Sequence, residues 1–404
     1  MIRKSVLALL AGAAIVLPSA AFAADDALQM VSIDVEGGGG TLFVTPHGKS
    51  VLIDTANPDR GEHPNSENID KTARMLGLKK IDYLITTHYH GDHIGGLEGV
   101  LKRIPIGTFI DHGENREIRG TQGPGGMIGP DWRTIRPAGA PPVGGGRGGP
   151  GGPGAAAGRG PGPAPAAAPA DPNAPPPGST AAGYAHYISL IGKSPHRVVK
   201  AGDHLDVDGM HILFVDSDGA PLPKPLPGAG ERPAACAAMQ PMDPNGGEEN
   251  SRSTSSLITY GKVKIAAFGD LTWNSEMKLF CPVDRVGKVD ILLASHHGLQ
   301  FSNSPAQVES LQPKIVIIGN AIGKGDDPDR VKSYMANPRF QGMWHLHVSR
   351  GHDELDGDKN QIANPDPDQA KDKTYNLRLR IQKNGNITVI NERNGYNKSY
   401  KAGG

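Results

Sequence analysis

The stretch THYHGDHIGG, residues 87–96, decides the fold of this chain. It places three histidines and one aspartate within six residues, in the spacing H-x-H-x-D-H, directly after the apolar run of residues 81–86. Histidine and aspartate are poor strand formers and are costly to bury without partners. Clustered imidazole nitrogens and carboxylate oxygens are, however, the ligands that a borderline divalent cation such as Zn²⁺ prefers. A solvated polar loop would not explain this spacing, so the sequence predicts a metal site at the end of a strand.

Further ligand-type residues follow other short apolar runs, far along the chain from this cluster. Asp54, Asp270 and the pair His296-His297 each come at or just after the end of such a run. Any one of them alone is a weak signal, because an aspartate after a strand is usually a turn residue. Strand ends are rigid positions from which separate segments can converge on one ion. Together with the histidine cluster, these residues predict a single shared centre.

Short apolar runs alternate with helical patterns along most of the chain, and this alternation predicts a layered α/β sandwich. Strands are predicted at residues 29–35, 41–45, 51–53, 81–86, 106–110, 211–215, 255–260, 263–268, 290–294, 314–318, 342–347, 376–382 and 386–391. Helices are predicted at residues 67–76, 97–103, 275–280, 305–311 and 329–335. The last two strands form a hairpin that turns near Asn384-Gly385.

Two segments fall outside this pattern. Residues 1–23 carry a basic start, an apolar run at 6–17 and an Ala-Phe-Ala cleavage site, which is typical of a secretory signal peptide. The apolar run is too short for a membrane span, so we expect an exported protein without a membrane anchor, in the periplasm or outside the cell. Residues 137–180 are almost entirely Gly, Pro and Ala, and we expect a disordered insert that interrupts one domain, residues 24–404.

Charge and cysteine content limit the partners and leave one alternative open. Lys+Arg 42 balance Asp+Glu 42, so no overall positive field indicates nucleic acid or an anionic membrane as a partner. Cys236 and Cys281 are the two cysteines of the chain. In an oxidising compartment they either form one disulfide or remain two separate thiols, and the sequence favours neither.

With these motifs in this order, the chain resembles the metallo-β-lactamase superfamily over nearly the whole mature sequence except the insert. Residues 33–35 before a glycine-rich turn, residues 250–256, Phe268-Gly269-Asp270 and residues 295–298 are most similar to the competence-protein (ComEC/Rec2-like) branch. The resemblance implies a four-layer αββα sandwich in which residues 24–404 form a hydrolase domain. It also implies two divalent cations, with Zn²⁺ favoured and Mn²⁺ as the alternative.

The resemblance assigns a role to each residue of the motifs. The implied metal ligands are His88 and His90 for the first ion, Asp92, His93 and His296 for the second ion, and Asp270 as the bridge between them. One histidine of the His296-His297 pair is needed; His296 is favoured because it lies nearer the apolar run, and His297 would line the pocket. Asp54 would orient a ligand imidazole and set its tautomer.

One segment departs from the superfamily pattern. Many members have a further histidine just before the strand that leads to the bridging aspartate, and Asn250 occupies that place here. An amide oxygen is a weaker and harder ligand than imidazole, so the first ion is expected to be loosely held or to be a harder ion such as Mn²⁺. His345, His347 and His112 also follow or end predicted strands, and they either face the pocket or are ordinary structural histidines.

The resemblance implies hydrolysis by a metal-bound hydroxide, with Asp92 and His93 as catalytic residues and Asp92 able to accept a proton. The branch similarity and the missing histidine favour a phosphoester or phosphodiester substrate. The first alternative is a β-lactam, lactone or other carboxylic ester or amide, which suits an exported protein. The second alternative is a non-catalytic, metal-retaining envelope protein, against which the complete set of ligand residues argues.

Overall fold

The computed structural model describes residues 26–60, 64–117, 178–243, 246–349, 353–368 and 373–403, together with the single residues 175 and 371. The predicted signal peptide, residues 1–23, lies outside the described residues, as does most of the predicted insert at 137–180. Among the described residues, no helix is both long enough and apolar enough to cross a bilayer.

The described residues form eighteen strands and seven α-helices. The strands are β1 (Ala27–Ser32), β2 (Thr41–Val44), β3 (Ser50–Ile53), β4 (Ile81–Ile85), β5 (Ile106–Asp111), β6 (His196–Val198), β7 (His204–Val207), β8 (Met210–Ser217), β9 (Ala220–Pro221), β10 (Ser255–Tyr260), β11 (Val263–Ala267), β12 (Ile291–Leu293), β13 (Ile315–Ile318), β14 (Gly342–His347), β15 (Ile362–Asn364), β16 (Leu377–Gln382), β17 (Asn386–Asn391) and β18 (Asn397–Lys401). The helices are α1 (Asn65–Met75), α2 (Gly91–Ile94), α3 (Leu97–Arg103), α4 (Thr180–Ile191), α5 (Trp273–Phe280), α6 (Pro305–Leu311) and α7 (Pro328–Ala336).

Within the described residues, these strands form two mixed sheets. The first sheet has the order β18-β17-β16-β1-β2-β3-β4-β5-β6, and the second has the order β15-β14-β13-β12-β11-β10-β8-β7, with β9 paired to β8. Strands β5 and β6 come from opposite sides of the predicted insert and pair in parallel. Strand β16, near the end of the chain, pairs with β1. The first sheet is therefore built from both ends of the sequence.

Three apolar clusters separate four layers. Neighbouring residues of a strand face opposite sides of the sheet, so Ile85 of β4 packs between the two sheets while Leu84 packs under α1 and α3. A third cluster joins the outer face of the second sheet, at Leu292, to α5, α6 and α7. Helices therefore cover the outer face of each sheet, and the predicted four-layer α/β sandwich is confirmed.

Several strands and one helix of the structure were not predicted from the sequence, and the physical reasons differ. Strands β6, β7 and β18 have few buried residues, so they show no apolar run; in β18 only Tyr400 is buried. Such polar edge strands lack the alternation on which prediction depends. Helix α4 begins at Thr180, inside the predicted insert, where the Ser179 side chain accepts a hydrogen bond from the backbone N–H of Ala182.

The structure shows which of the two alternatives for the cysteines holds. Cys236 and Cys281 form a disulfide. The bond joins the mostly exposed segment of residues 220–243 to the end of α5. A loop with little buried apolar area of its own is thereby attached to the helical layer that covers the second sheet.

The parallel strands of both sheets direct their carboxyl ends toward one edge of the sandwich. Strands β3, β4 and β5 run parallel in the first sheet, and β11, β12, β13 and β14 run parallel in the second. Loops that follow the carboxyl ends of parallel strands are where α/β folds place their binding residues. The predicted ligand residues all follow the carboxyl end of β4, β11 or β12.

Candidate metal centre

The turn after β4 presents the histidine cluster. Tyr89 is buried beside His112 and Tyr184, with ring centroids 4.6 Å from each. Because side chains alternate in extended chain, His88 and His90 on either side of Tyr89 face the opposite direction together. The short helix α2 then begins, and it returns His93 to the same side as His88, with ring centroids 4.1 Å apart.

Asp270 lies at the centre of this group. Its Oδ2 atom is 3.3 Å from Nε2 of His93, 3.5 Å from Nε2 of His296, 3.7 Å from Nε2 of His297 and 3.9 Å from Nε2 of His88. All five residues are buried. One carboxylate oxygen that faces four imidazole nitrogens from two other chain segments has the geometry expected of a bridging ligand.

Four residues form the second-ion set. Asp92, His93, Asp270 and His297 each offer one ligand atom, and these atoms lie within 4.8 Å of one another. Nε2 of His93 and Nε2 of His297 are buried and have no hydrogen-bond partner among the described residues. Buried polar atoms are nearly always paired, so two unpaired nitrogens that face two carboxylates fit a divalent cation.

The first-ion side contains His88, His90 and Asn250. Nε2 of His88 lies 3.1 Å from Nδ1 of His90. Asn250, 3% exposed, donates from Nδ2 to Nε2 of His296 at 3.3 Å, and its Oδ1 has no hydrogen-bond partner among the described residues. The structure therefore places Asn250 beside the centre, next to His296.

The two histidines of the His296-His297 pair take different positions at the centre. From the sequence, His296 was favoured for the second ion and His297 for the pocket. In the structure His297, not His296, belongs to the four-residue set with Asp92, at 3.5 Å from its Oδ2. The sequence choice assumed that only the residue nearer the strand end would face the centre, whereas both rings do.

Each imidazole is also contacted through its other ring nitrogen. The pairs are His88 Nδ1 with Thr87 Oγ1 at 3.1 Å, His90 Nε2 with Glu117 Oε1 at 3.5 Å, His93 Nδ1 with Asp54 Oδ2 at 2.7 Å, His296 Nδ1 with Ser302 Oγ at 3.4 Å and His297 Nδ1 with Gly319 O at 2.9 Å. Such contacts orient a ligand imidazole and leave the opposite nitrogen free to bind an ion.

Asp54 lies where it can orient a ligand, the role that the resemblance implies for it. Its Oδ1 accepts the backbone N–H of Thr87 at 2.7 Å, and its Oδ2 is shared by the Thr87 hydroxyl and by His93. The backbone of Gly39 runs directly behind this pair. A Cβ at Gly39 would lie 2.6 Å from both Asp54 Oδ2 and His93 Nδ1, so glycine is required there.

Two residues at the centre carry no sequence signal. Glu117 contacts His90 as described above, but it lies 20 residues before the predicted insert with no motif around it. Lys324, in the loop between β13 and α7, places Nζ 2.5 Å from Asp92 Oδ2 and 2.5 Å from the carbonyl oxygen of Gly37. Only the fold brings either side chain to the cluster.

The remaining predicted pocket histidines are buried outside the cluster around Asp270. Each pairs with a carboxylate: His112 Nε2 with Glu249 Oε1 at 2.8 Å, His345 Nδ1 with Asp326 Oδ1 at 3.2 Å and His347 Nε2 with Asp34 Oδ1 at 2.9 Å. These contacts fit the alternative in which they are structural histidines.

Electrostatics favour the metal-binding protonation states of Asp270, His296 and His88, whereas the carboxylates beside His93 raise its pKa well above the usual value. Burial raises the pKa of Asp270, but His93, His296 and His297 outweigh it and hold that pKa well below its usual value. Burial lowers the pKa of His296 to about 4 and that of His88 well below its usual range. Ionised carboxylates and neutral imidazoles are the forms that bind cations.

Comparison with known proteins gives partial matches. Residues 36–168 match the profile of the metallo-beta-lactamase superfamily. Ribonuclease Z of Nanoarchaeum equitans is 40% identical over 63 residues, which are 15% of this chain and 17% of that protein. A beta-lactamase-like protein 2 homolog of Caenorhabditis elegans is 31% identical over 75 residues, 17% of this chain and 24% of that protein. The chain thus spans less than a quarter of the length of each of these curated relatives.

Among solved structures, the metallo-beta-lactamase fold protein YhfI of Bacillus subtilis is similar to this chain. The match covers 79% of this chain and 95% of that one, at 10% identity and a TM-score of 0.39.

Proposed function

We propose that this chain, which belongs to the metallo-β-lactamase superfamily, is an exported metal-dependent hydrolase of phosphoesters or phosphodiesters. The observation that carries the hydrolase proposal is the convergence of buried imidazole nitrogens and carboxylate oxygens on Asp270 Oδ2. Unpaired ring nitrogens and ionised carboxylates at this spacing fit two divalent cations. Zn²⁺ suits the imidazole-rich set best, and Mn²⁺ is the alternative.

The residues divide between two ions that share Asp270. His88 and His90 would hold the first, and Asp92, His93 and His297 the second. Bound cations of this kind polarise the substrate and lower the pKa of bound water to about 7. Asp92, whose Oδ2 is paired with Lys324 Nζ, is proposed to accept a proton during the reaction. Water would add to phosphorus and the alcohol would leave, without a covalent bond to the protein.

The choice of a phosphoester rests on charge beside the centre. The Lys324 side chain is 19% exposed, and its ammonium group adjoins Asp92. An ammonium group in this position can bind a phosphate oxygen as a point charge. Two further features support the choice: the motif similarity to the competence-protein branch, and the short match to a protein named as a ribonuclease.

A substrate panel tests the proposal. The apoprotein, prepared with a chelator and reloaded with Zn²⁺ or Mn²⁺, is assayed on a chromogenic phosphodiester, a phosphomonoester, a cephalosporin and a lactone. We expect metal-dependent turnover of the phosphodiester that is lost in Asp270→Asn and retained in His204→Ala, a matched change at an exposed histidine. Cephalosporin or lactone turnover without phosphoester turnover would show that the substrate class is wrong.

Export is tested separately. The full-length chain is expressed in a Gram-negative host, and the cells are fractionated. We expect protein in the periplasm or medium whose N-terminus begins near Ala24, following cleavage after the Ala-Phe-Ala site. Protein that stays in the cytoplasm with residues 1–23 attached would contradict export.

A further inference from the structure

We infer that His296 is the third imidazole ligand of the first metal ion, so that two consecutive histidines serve different ions. The inference rests on the proposed metal centre and deepens it. It replaces the expectation that one histidine of the pair binds the second ion while the other only lines the pocket. It also accounts for Asn250, which stands where many relatives have the third histidine of the first site.

The backbone of His296 and His297 has a rare left-handed conformation, which directs both side chains toward the centre. His296 has φ 52° and ψ 42°, and His297 has φ 56° and ψ 19°. L-residues with a side chain rarely adopt this left-handed conformation, and two in succession are costly. In extended chain the two rings would point in opposite directions. Here both Nε2 atoms lie within 3.7 Å of Asp270 Oδ2.

The two rings then diverge toward different partners. His297 Nε2 lies 3.5 Å from Asp92 Oδ2, on the second-ion side. His296 Nε2 lies 3.3 Å from Asn250 Nδ2. The loop that carries Asn250 also faces His90: a Cβ at Gly247 would be 3.8 Å from the His90 ring, and one at Gly246 would be 3.5 Å from the His296 ring. His296 therefore shares its surroundings with a first-ion ligand.

The hydrogen bond from Asn250 identifies the state of His296. An amide N–H donates to it, so Nε2 of His296 carries a lone pair. The same atom faces the carboxylate oxygen Oδ2 of Asp270 at 3.5 Å. Two lone-pair atoms held this close in a buried site repel each other unless a cation lies between them.

The strained turn is fixed by residues outside the centre. Asn303 accepts the backbone N–H of Ser295 at 2.9 Å and donates to the Ser295 carbonyl at 2.7 Å. The backbone N–H of Asn303 in turn donates to the buried carboxylate of Glu276 at 2.7 Å. Strain that is maintained by such a network is a marker of function, because it positions side chains before the ligand binds.

Metal titrations of single and double variants test the assignment. Zn²⁺ affinity is measured by competition with a chelator, stoichiometry by elemental analysis and ligand geometry by the visible spectrum of the Co²⁺ form. We expect His296→Ala to weaken one ion at least tenfold and leave the other unchanged. His296→Gln serves as a second variant, and thermal unfolding with His204→Ala as the control verifies folding.

Double variants distinguish the two ions. If His296 and His90 serve the same ion, the His90→Ala/His296→Ala protein keeps one ion at wild-type affinity, whereas His90→Ala/His297→Ala binds neither ion tightly. Asn250→His in the His296→Ala background is expected to restore the first ion, because it places an imidazole in the same space.

Two outcomes overturn the inference: two ions of unchanged affinity in both His296 variants, or loss of both ions from His90→Ala/His296→Ala. These measurements need no substrate. A protein that binds both ions as described but does not hydrolyse phosphoesters would contradict the proposed function alone.

Discussion

Glu117 Oε1 lies 3.5 Å from Nε2 of His90, across the ring from the Nδ1 atom that faces His88. Glu117 is itself held by the Thr180 hydroxyl at 2.9 Å and by the backbone N–H of Glu249 at 2.8 Å. Burial opposes the charge on both partners. The attraction between Glu117 and His90 outweighs this effect of burial, so the pKa of Glu117 is lowered and that of His90 is raised. A carboxylate behind a ligand imidazole fixes its tautomer and makes it a better metal ligand.

Glu117→Gln is therefore expected to weaken the first ion by about 10- to 100-fold and to leave the second ion unchanged. The loss follows from removing the negative charge behind His90 while keeping a similar shape. Competition titration with a chelator measures both affinities. Glu98→Gln, a change at a half-exposed glutamate paired with Lys102, is the matched control. Equal first-ion affinity in Glu117→Gln and the control would contradict the role of Glu117.

Lys324→Met is expected to raise KM for an anionic phosphodiester by about tenfold, because a charge-assisted hydrogen bond to substrate is lost. KM for an uncharged lactone, if it is turned over, should stay unchanged. Steady-state kinetics with equal metal content in each protein separates the two effects. Lys262→Met, at an exposed position, is the control. A fall in kcat of similar size for both substrates, with unchanged KM, would show that Lys324 does not bind the substrate anion.

Strands could be predicted from the sequence where their buried residues form a local pattern of apolar positions. Strands β10, β14 and β17 were predicted with their observed bounds, because each alternates or concentrates apolar residues that pack in the core. Strand β18 could not be predicted, since it lies at a sheet edge and four of its five residues are polar or charged. Its place is determined by pairing with β17, which is a property of the folded chain.

The site shows the same division. The spacing of His88, His90, Asp92 and His93 is local, so the sequence alone indicates a metal centre there. Glu117 and Lys324 reach the centre only through the fold and could not be found from spacing. The conformation of His296 and His297 could not be predicted for another reason. No local sequence pattern indicates two consecutive left-handed residues, because tertiary contacts such as that between Asn303 and Ser295 maintain this conformation.

Removal of the Cys236–Cys281 disulfide is expected to destabilise the protein by about 4 kcal/mol, because the bond closes a loop of 45 residues in the unfolded chain. Urea unfolding of the wild type and of the Cys236→Ala/Cys281→Ala variant, each with and without reductant, measures the difference. The wild type should lose stability on reduction, and the variant should be insensitive to reductant. Identical unfolding midpoints for the oxidised wild type and the variant would contradict the prediction.

Asp216, a buried carboxyl group outside the proposed ligand set, makes stability depend on pH. It is fully buried in β8, and both carboxylate oxygens lack a hydrogen-bond partner within the described part of the chain. Burial raises its pKa to about 8, against an opposing effect of Lys278. The folded protein thus keeps a proton that the unfolded chain releases above its ordinary pKa of about 4.

The contribution of Asp216 to the free energy of unfolding of the wild type should consequently fall as the pH rises from about 4 to about 8, by on the order of 1.4 kcal/mol per pH unit, and then level off. Asp216→Asn removes this ionisation while keeping the shape of the side chain. The free energy of unfolding of Asp216→Asn should therefore exceed that of the wild type by little near pH 5 and by most above pH 8. Urea unfolding of both proteins at pH 5, 6.5 and 8.5, in the same metal state, measures the difference directly. A difference that is constant across these pH values would mean that Asp216 ionises in the folded state at its ordinary pKa.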